Sequence, residues 1–90
     1  MTLKNLLNKI DYTLIKGNLD IEISDLIYDS RKVTAGTAFV CLVGYNTDGH
    51  QYIESAIEKG ASAIVVSKDV EIDSDVTVVR LMTQEKLLLL

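Results

Sequence analysis

The alternation of apolar and polar positions divides this chain into segments of two different periods. Leu3, Leu6, Leu7 and Ile10 recur at helical spacing, with Lys4, Asn5 and Lys9 on the other face and Thr2 at the N-cap position, so the pattern predicts a short first helix. Gly17-Asn18 marks a turn. Ile21 and Ile23 alternate with Glu22 and Ser24 before Leu26-Ile27-Tyr28, which predicts a half-buried edge strand delivering Asp29 at its end. Turn chemistry at Gly36 precedes the run Ala38 to Val43. That run is apolar throughout and bounded by Gly44, so it predicts a central strand covered on both faces.

Asp48 stands at a second N-cap position, with Gln51 placed to complete a capping box. Tyr52, Ile53, Ala56 and Ile57 form an apolar stripe, Glu54, Glu58 and Lys59 lie outside it, and Gly60 occupies the C′ position. A helix over 49–59 follows. Ala61 to Val66 reads as the next strand, so strand, helix and strand succeed one another within about thirty residues, the spacing of a βαβ unit with parallel strands. Residues 68–75 are acidic and turn-like, and Val76 to Leu81 is a further strand. The expected fold is therefore α/β, a Rossmann-like three-layer domain with a mixed, partly parallel sheet containing a βαβ unit. Thr83 is placed to cap a helix that begins at Gln84-Glu85 and runs into Leu87-Leu88-Leu89-Leu90. The expected division is a domain over 1–82 and the start of a truncated helix over 83–90, the first piece of a longer protein.

Composition narrows the functions. Hydrophobic residues at 48% and charged residues at 24% describe an ordinary globular domain, and 90 residues make one domain at most. A net charge of −4 argues against nucleic acid and anionic membranes, because there is no basic surplus to displace counterions. The apolar runs fall short of the ~20 residues that cross a bilayer, and the start lacks the features of a signal peptide. A lone Cys41 inside an apolar run reads as a packed thiol, and a cytoplasmic location is expected.

No catalytic constellation is visible. A single histidine, His50, rules out metal sites built on several imidazoles, and no Gly-rich loop leads into Lys-Ser or Lys-Thr to hold a nucleoside triphosphate. The acids Asp69, Glu71, Asp73 and Asp75 lack the glycine and closing glutamate of a calcium loop, so no metal site is expected. Binding groups are better represented. Asp29 and Ser30 leave one predicted strand, and Tyr45, Asn46 and Thr47 lie beyond the next. Together they offer an aromatic face, an amide, hydroxyls and acceptors, which suits a planar amide-like ring. Asp29-Ser30 equally suits an Asx-turn, Arg31 an ion pair with Asp29 or solvent, Asp48 a helix cap, and His50 a structural place. Asp48 already uses the positive end of its helix, which disfavours a phosphate there.

These residues carry a resemblance to a known family. Asp29-Ser30-Arg31-Lys32-Val33, Gly36, Phe39-Val40-Cys41, Gly44-Tyr45, Asp48-Gly49-His50, Tyr52, Ala56 and Gly60-Ala61-Ser62-Ala63-Ile64-Val65-Val66 resemble the N-terminal domain of the Mur ligases over essentially Leu3 to Leu90. The Gly-Tyr-x-x-Asp-Gly-His form and the opening Leu-x-x-Leu-Leu are most similar to the branch that adds the third residue, lysine or meso-diaminopimelate, to UDP-MurNAc-L-Ala-D-Glu in peptidoglycan synthesis. The alternatives are the sibling branch that adds D-alanyl-D-alanine and a free-standing binding module. The resemblance implies a three-domain cytoplasmic bacterial enzyme whose first domain holds the uridine end of the UDP-MurNAc-dipeptide. ATP and Mg²⁺ would be bound by the central domain, outside this chain, and the C-terminal domain would receive the amino acid. Carried over by position, Ser30 bonds the uracil or ribose, Tyr28 and Asp29 shape the same wall, and Tyr45, Asn46 and Thr47 line the other. Asp48 and His50 hold the loop. No residue of this chain is expected to be catalytic, and the chain alone is expected to be inactive.

Overall fold

The computed structural model describes residues 1–8, 10–41 and 48–81. Helix α1 (Leu3–Leu7) is followed by β1 (Tyr12–Lys16), β2 (Leu26–Ile27), a 3-10 turn (Ser30–Lys32), β3 (Ala38–Val40), a second 3-10 turn (Gly49–Tyr52), α2 (Ile53–Glu58), β4 (Ala63–Val66) and β5 (Thr77–Leu81). The strands form one mixed sheet in the order β1-β5-β4-β3-β2, in which only β1 runs antiparallel to its neighbour. The α/β fold with a βαβ unit, β3-α2-β4, is thus present.

The period-2 geometry of the strands sorts the core into two clusters. Ala38 and Val40, Ala63 and Val65, and Val79 and Leu81 point to one face, where Leu3 and Leu7 of α1 and Ile10 cover them. Phe39 and Cys41, Ile64 and Val66, and Val78 point to the other, against Ile53 and Ala56 of α2. These strand residues are almost wholly buried. The expected burial of the Ala38 run on both faces is met over Ala38 to Cys41, although β4, not β3, is the middle strand of the five. Residues 42–47, the rest of that run and the residues that follow it, lie outside the described residues, as do Lys9 and 82–90, which include the helix expected from Thr83.

Local chemistry explains the ends of the elements. Thr2 Oγ1 accepts from Asn5 N at 3.2 Å, while Leu3 N and Lys4 N donate to the carbonyls of Ile21 and Leu19. The orphan donors at the start of α1 are thereby satisfied. At the end of α2, Gly60 N donates to Ile57 O and Ala61 N to Ala56 O, the paired bonds of a Schellman motif, with Gly60 at φ +99°.

Two expectations need correction, and one strand was not foreseen. The Ile21 to Ser24 alternation is not a strand: Ile23 is buried, but Glu22 makes a single bridge to Thr2, and β2 is confined to Leu26–Ile27. The helix expected over 49–59 begins as a 3-10 turn, because Asp48 caps that turn and the α-helix starts only at Ile53. The edge strand β1 was not legible, since Leu14 and Ile15 are both exposed and leave no buried alternation to read. It is held instead by pairing with β5 and by Lys16 Nζ, which donates to the carbonyls of Ile72 and Ser74.

The turn after β1 is fixed by contact with Thr77. Asn18 N donates to Thr77 Oγ1 at 3.1 Å and that hydroxyl donates to Asn18 O at 3.2 Å. A Cβ on Gly17, at φ +90°, would lie 2.6 Å from Thr77 Cα, whereas one on Gly36, at φ +87°, would come no nearer than 3.5 Å to the Ser24 side chain. Gly17→Ala is therefore expected to lower unfolding free energy by roughly 2 kcal/mol or more, and Gly36→Ala by about 1 kcal/mol, in urea titrations. Equal losses would show that the close approach to Thr77 does not matter.

Candidate functional site

Because β2, β3 and β4 are parallel, their carboxyl ends share one edge of the sheet, the edge where open α/β sheets place ligands. Tyr28, Asp29 and Ser30 leave β2 there, Asp48 to His50 lie past the end of β3, and Ser67 and Lys68 follow β4. Two hydrogen-bonded assemblies occupy this edge.

The first holds Ser30. Asp29 caps the Ser30–Lys32 turn, accepting from Arg31 N at 3.0 Å, and its carboxylate also takes Arg31 Nε at 3.0 Å and Nη2 at 2.8 Å. The Asx-turn and the ion pair are thus both real. Arg31, by side-chain and backbone hydrogen bonds, pulls the Asp29 carboxyl down to about 2, so it is ionised at any physiological pH. From the other side, Lys59 Nζ donates to Ser30 O at 2.9 Å and pins the turn to the end of α2. Among the described residues no group bonds the Ser30 hydroxyl, and Tyr28 beside it is half exposed at 50%. Lys59 is a residue that sequence reasoning missed; its place one position before the helix-ending Gly60 was the available signal.

The second assembly is structural. Asp48 Oδ1 accepts from His50 N at 2.9 Å and faces His50 Nδ1 at 2.6 Å, and Asp48 Oδ2 is bonded by Lys68 Nζ. On the far side of the ring, Ser67 N donates to His50 Nε2 at 3.2 Å. An acceptor at Nδ1 and a donor at Nε2 define the neutral ring with its proton on Nδ1. Lys68 and the two His50 bonds hold the Asp48 carboxyl well below the usual carboxylate range. His50 is buried, so it straps the turn before α2 to the end of β4 and presents no free nitrogen.

Nothing in these groups is a nucleophile with its base. Burial, with Asp48 adding negative charge nearby, pushes the Cys41 thiol up to about 12, which makes it the packed thiol expected. Among the described residues no group of three metal-ligating side chains exists. Tyr45, Asn46 and Thr47, the other expected wall, lie outside the described residues. A separate open cleft of about 590 Å³ runs between α2 and residues 70–74, lined by Ile53, Ile57 and Ile72 and by the acids Glu54, Glu58 and Glu71.

Known proteins give this edge its context. The pattern described as "Mur ligase family, catalytic domain" matches residues 22–86. The chain belongs to the Mur ligase family. A ligase from Clostridium perfringens named UDP-N-acetylmuramoyl-L-alanyl-D-glutamate–2,6-diaminopimelate ligase is 42% identical over 98% of the chain, and one of the same name from Clostridioides difficile is 51% identical over 80%. The chain spans 18% and 15% of those two proteins. A crystal structure of MurF from Acinetobacter baumannii shares the fold, with a TM-score of 0.80 at 23% identity over 92% of this chain and 18% of its own. MurF from Thermotoga maritima in complex with ADP is similar over 71% of this chain and 14% of its own, with a TM-score of 0.62 and 28% identity. Although the family description speaks of a catalytic domain, the sequence holds no Gly-rich loop leading into Lys-Ser or Lys-Thr that would cradle a nucleoside triphosphate.

The strap makes a prediction. Removing the ring in His50→Ala leaves a cavity and unpartnered groups and is expected to cost about 2–4 kcal/mol in urea or thermal unfolding. Lys68→Met, which removes an exposed ion pair, is expected to cost under about 1 kcal/mol. A His50→Ala loss as small as that of Lys68→Met would contradict the assignment.

Proposed function

We propose that this chain is the N-terminal, uridine-holding domain of a cytoplasmic ligase that adds the third residue to UDP-MurNAc-L-Ala-D-Glu. The observation that carries the reading is the Ser30 turn. Its backbone is fixed from both sides, by Asp29 and Lys59, while its hydroxyl stands at the ligand edge of the sheet beside an exposed tyrosine. A hydroxyl that both donates and accepts, placed by a rigid turn, suits the alternating donors and acceptors of a uracil or ribose. Tyr28 supplies an aromatic face and Asp29 the turn geometry, and Tyr45, Asn46 and Thr47 belong by resemblance to the same uridine-binding set.

The relatives named for 2,6-diaminopimelate addition support that amino acid as the one joined, and their length supports further domains that hold ATP, Mg²⁺ and the incoming amino acid. The fold shared with MurF favours the D-alanyl-D-alanine branch less, because those structures are 23–28% identical while the third-residue ligases reach 42–51%.

Ser30→Ala in the full-length protein is expected to weaken binding of the UDP-linked substrate by about 2- to 10-fold, roughly 0.5–1.5 kcal/mol, with ATP affinity little changed. Calorimetric titration of both ligands checks this. Substrate affinity equal to that of the parent protein would remove Ser30 from the pocket.

A further inference from the structure

The open cleft of about 590 Å³ lies along α2 on the side of residues 70–74, the strip that leads into β5, whereas the Ser30 turn leaves β2 at the other end of the parallel strands. The strip wall alternates in character. Val70 and Ile72 pack inward on the cluster that holds Phe39 and Ile64, while Glu71 and Asp73 stay exposed. Lys16 Nζ fixes the backbone of this wall by donating to the carbonyls of Ile72 and Ser74. The helical wall divides in the same way. Ile53 and Ile57 pack on that cluster, and Glu54 and Glu58 are exposed one helical turn apart, at a spacing of roughly 6 Å.

The cleft therefore has an aliphatic floor between two rows of carboxylates, one row on each wall. Among the described residues none of these four acids makes an ion pair, and no lysine or arginine lines the cleft. His50, which lines it at the start of α2, is bonded to Asp48 and Ser67 and offers no compensating charge. Four uncompensated carboxylates repel an anion, and a net charge of −4 disfavours a second copy of this chain. A metal ion would leave the isoleucines unused, and no three ligating side chains converge among the described residues. Cations carried on an apolar body use both the rim and the floor, which is the chemistry of a basic amphipathic peptide laid in a groove.

We propose that this cleft docks a basic amphipathic segment of a partner protein. Its aliphatic side chains rest on Ile53, Ile57 and Ile72, and its lysines or arginines face Glu54 and Glu58 on one wall and Glu71 and Asp73 on the other. The surface is independent of the Ser30 turn and of any nucleotide held there. Because both walls are fixed, by the α2 packing and by Lys16, the groove is formed before the segment arrives, and little ordering cost falls on this side of the complex.

The test uses a labelled synthetic amphipathic peptide of leucine and lysine, and one of leucine and glutamate in the same pattern, titrated against the full-length protein at low and high salt by fluorescence anisotropy. The parent is expected to bind the lysine peptide, more weakly as salt rises, and not the glutamate peptide. Neutralising the exposed rim in Glu54→Gln, Glu58→Gln and Glu71→Gln together is expected to weaken binding about tenfold. The same charge change placed elsewhere, in Asp11→Asn, Asp20→Asn and Glu22→Gln together, is expected to leave the affinity within about twofold of the parent's, and Ile57→Ala to lower it several-fold. Equal losses in the two triple variants would reduce the effect to net charge and overturn the proposal. An unchanged affinity in Ile57→Ala would overturn it too, since the floor would then play no part. Absence of binding to the parent would mean that nothing basic enters, as when the protein's own further domains cover the cleft. Self-association of the parent that the rim variant abolishes, read by sedimentation, would give the cleft to a second copy and overturn the assignment to a partner.

Discussion

Burial of the sheet on both faces is the constraint from which the rest of this structure follows. β3, β4 and β5 carry Phe39, Val40, Ile64, Val65, Val66, Val78, Val79 and Leu81, all essentially without solvent contact. At about 1.5–3 kcal/mol for each large apolar side chain fully removed from water, this cluster is the main source of stability in so small a domain. It also dictates the architecture. Side chains alternate between faces, so neither α1 nor α2 alone could cover them, and the chain must place one helix on each side. Strands with no polar face leave no room for chemistry within the sheet, and polar groups are confined to the ends.

At the carboxyl edge those polar groups divide their labour. Asp48, His50, Ser67 and Lys68 bond one another and join the start of the α2 segment to the end of β4. Asp29, Arg31 and Lys59 instead bond around Ser30 without consuming its hydroxyl among the described residues. One group of charges holds the fold together; the other displays a hydroxyl and surplus cation at an edge open to solvent. That contrast, in a chain with an inert Cys41 and a neutral, fully engaged His50, is what supports the proposal of a recognition surface at the Ser30 turn.

Much of this was legible in the residues themselves. The apolar runs at Ala38 and Ala61 announced the two buried strands, and Thr2, Asp48 and Gly60 announced helix ends because capping is local chemistry written in one or two residues. β1 was not legible, since an exposed edge strand is defined by its partner β5 and not by its own pattern. The Ile21 to Ser24 alternation misled for the converse reason: burial of Ile23 under α1 mimics a strand while the backbone bonds go to Met1 and Leu3. Of the candidate pocket, the Asp29 turn could be read from sequence. The grip of Lys59 on Ser30 spans 29 residues and required the fold.

The central claim, that the Ser30 turn is where the ligand's nucleotide end is recognised, is tested most directly by hydrogen exchange of the full-length protein with and without the UDP-MurNAc-dipeptide. The account predicts slowed exchange over residues 28–33, with residues 70–74 along the acidic cleft unchanged. Slowed exchange at 70–74 with none at 28–33 would contradict it.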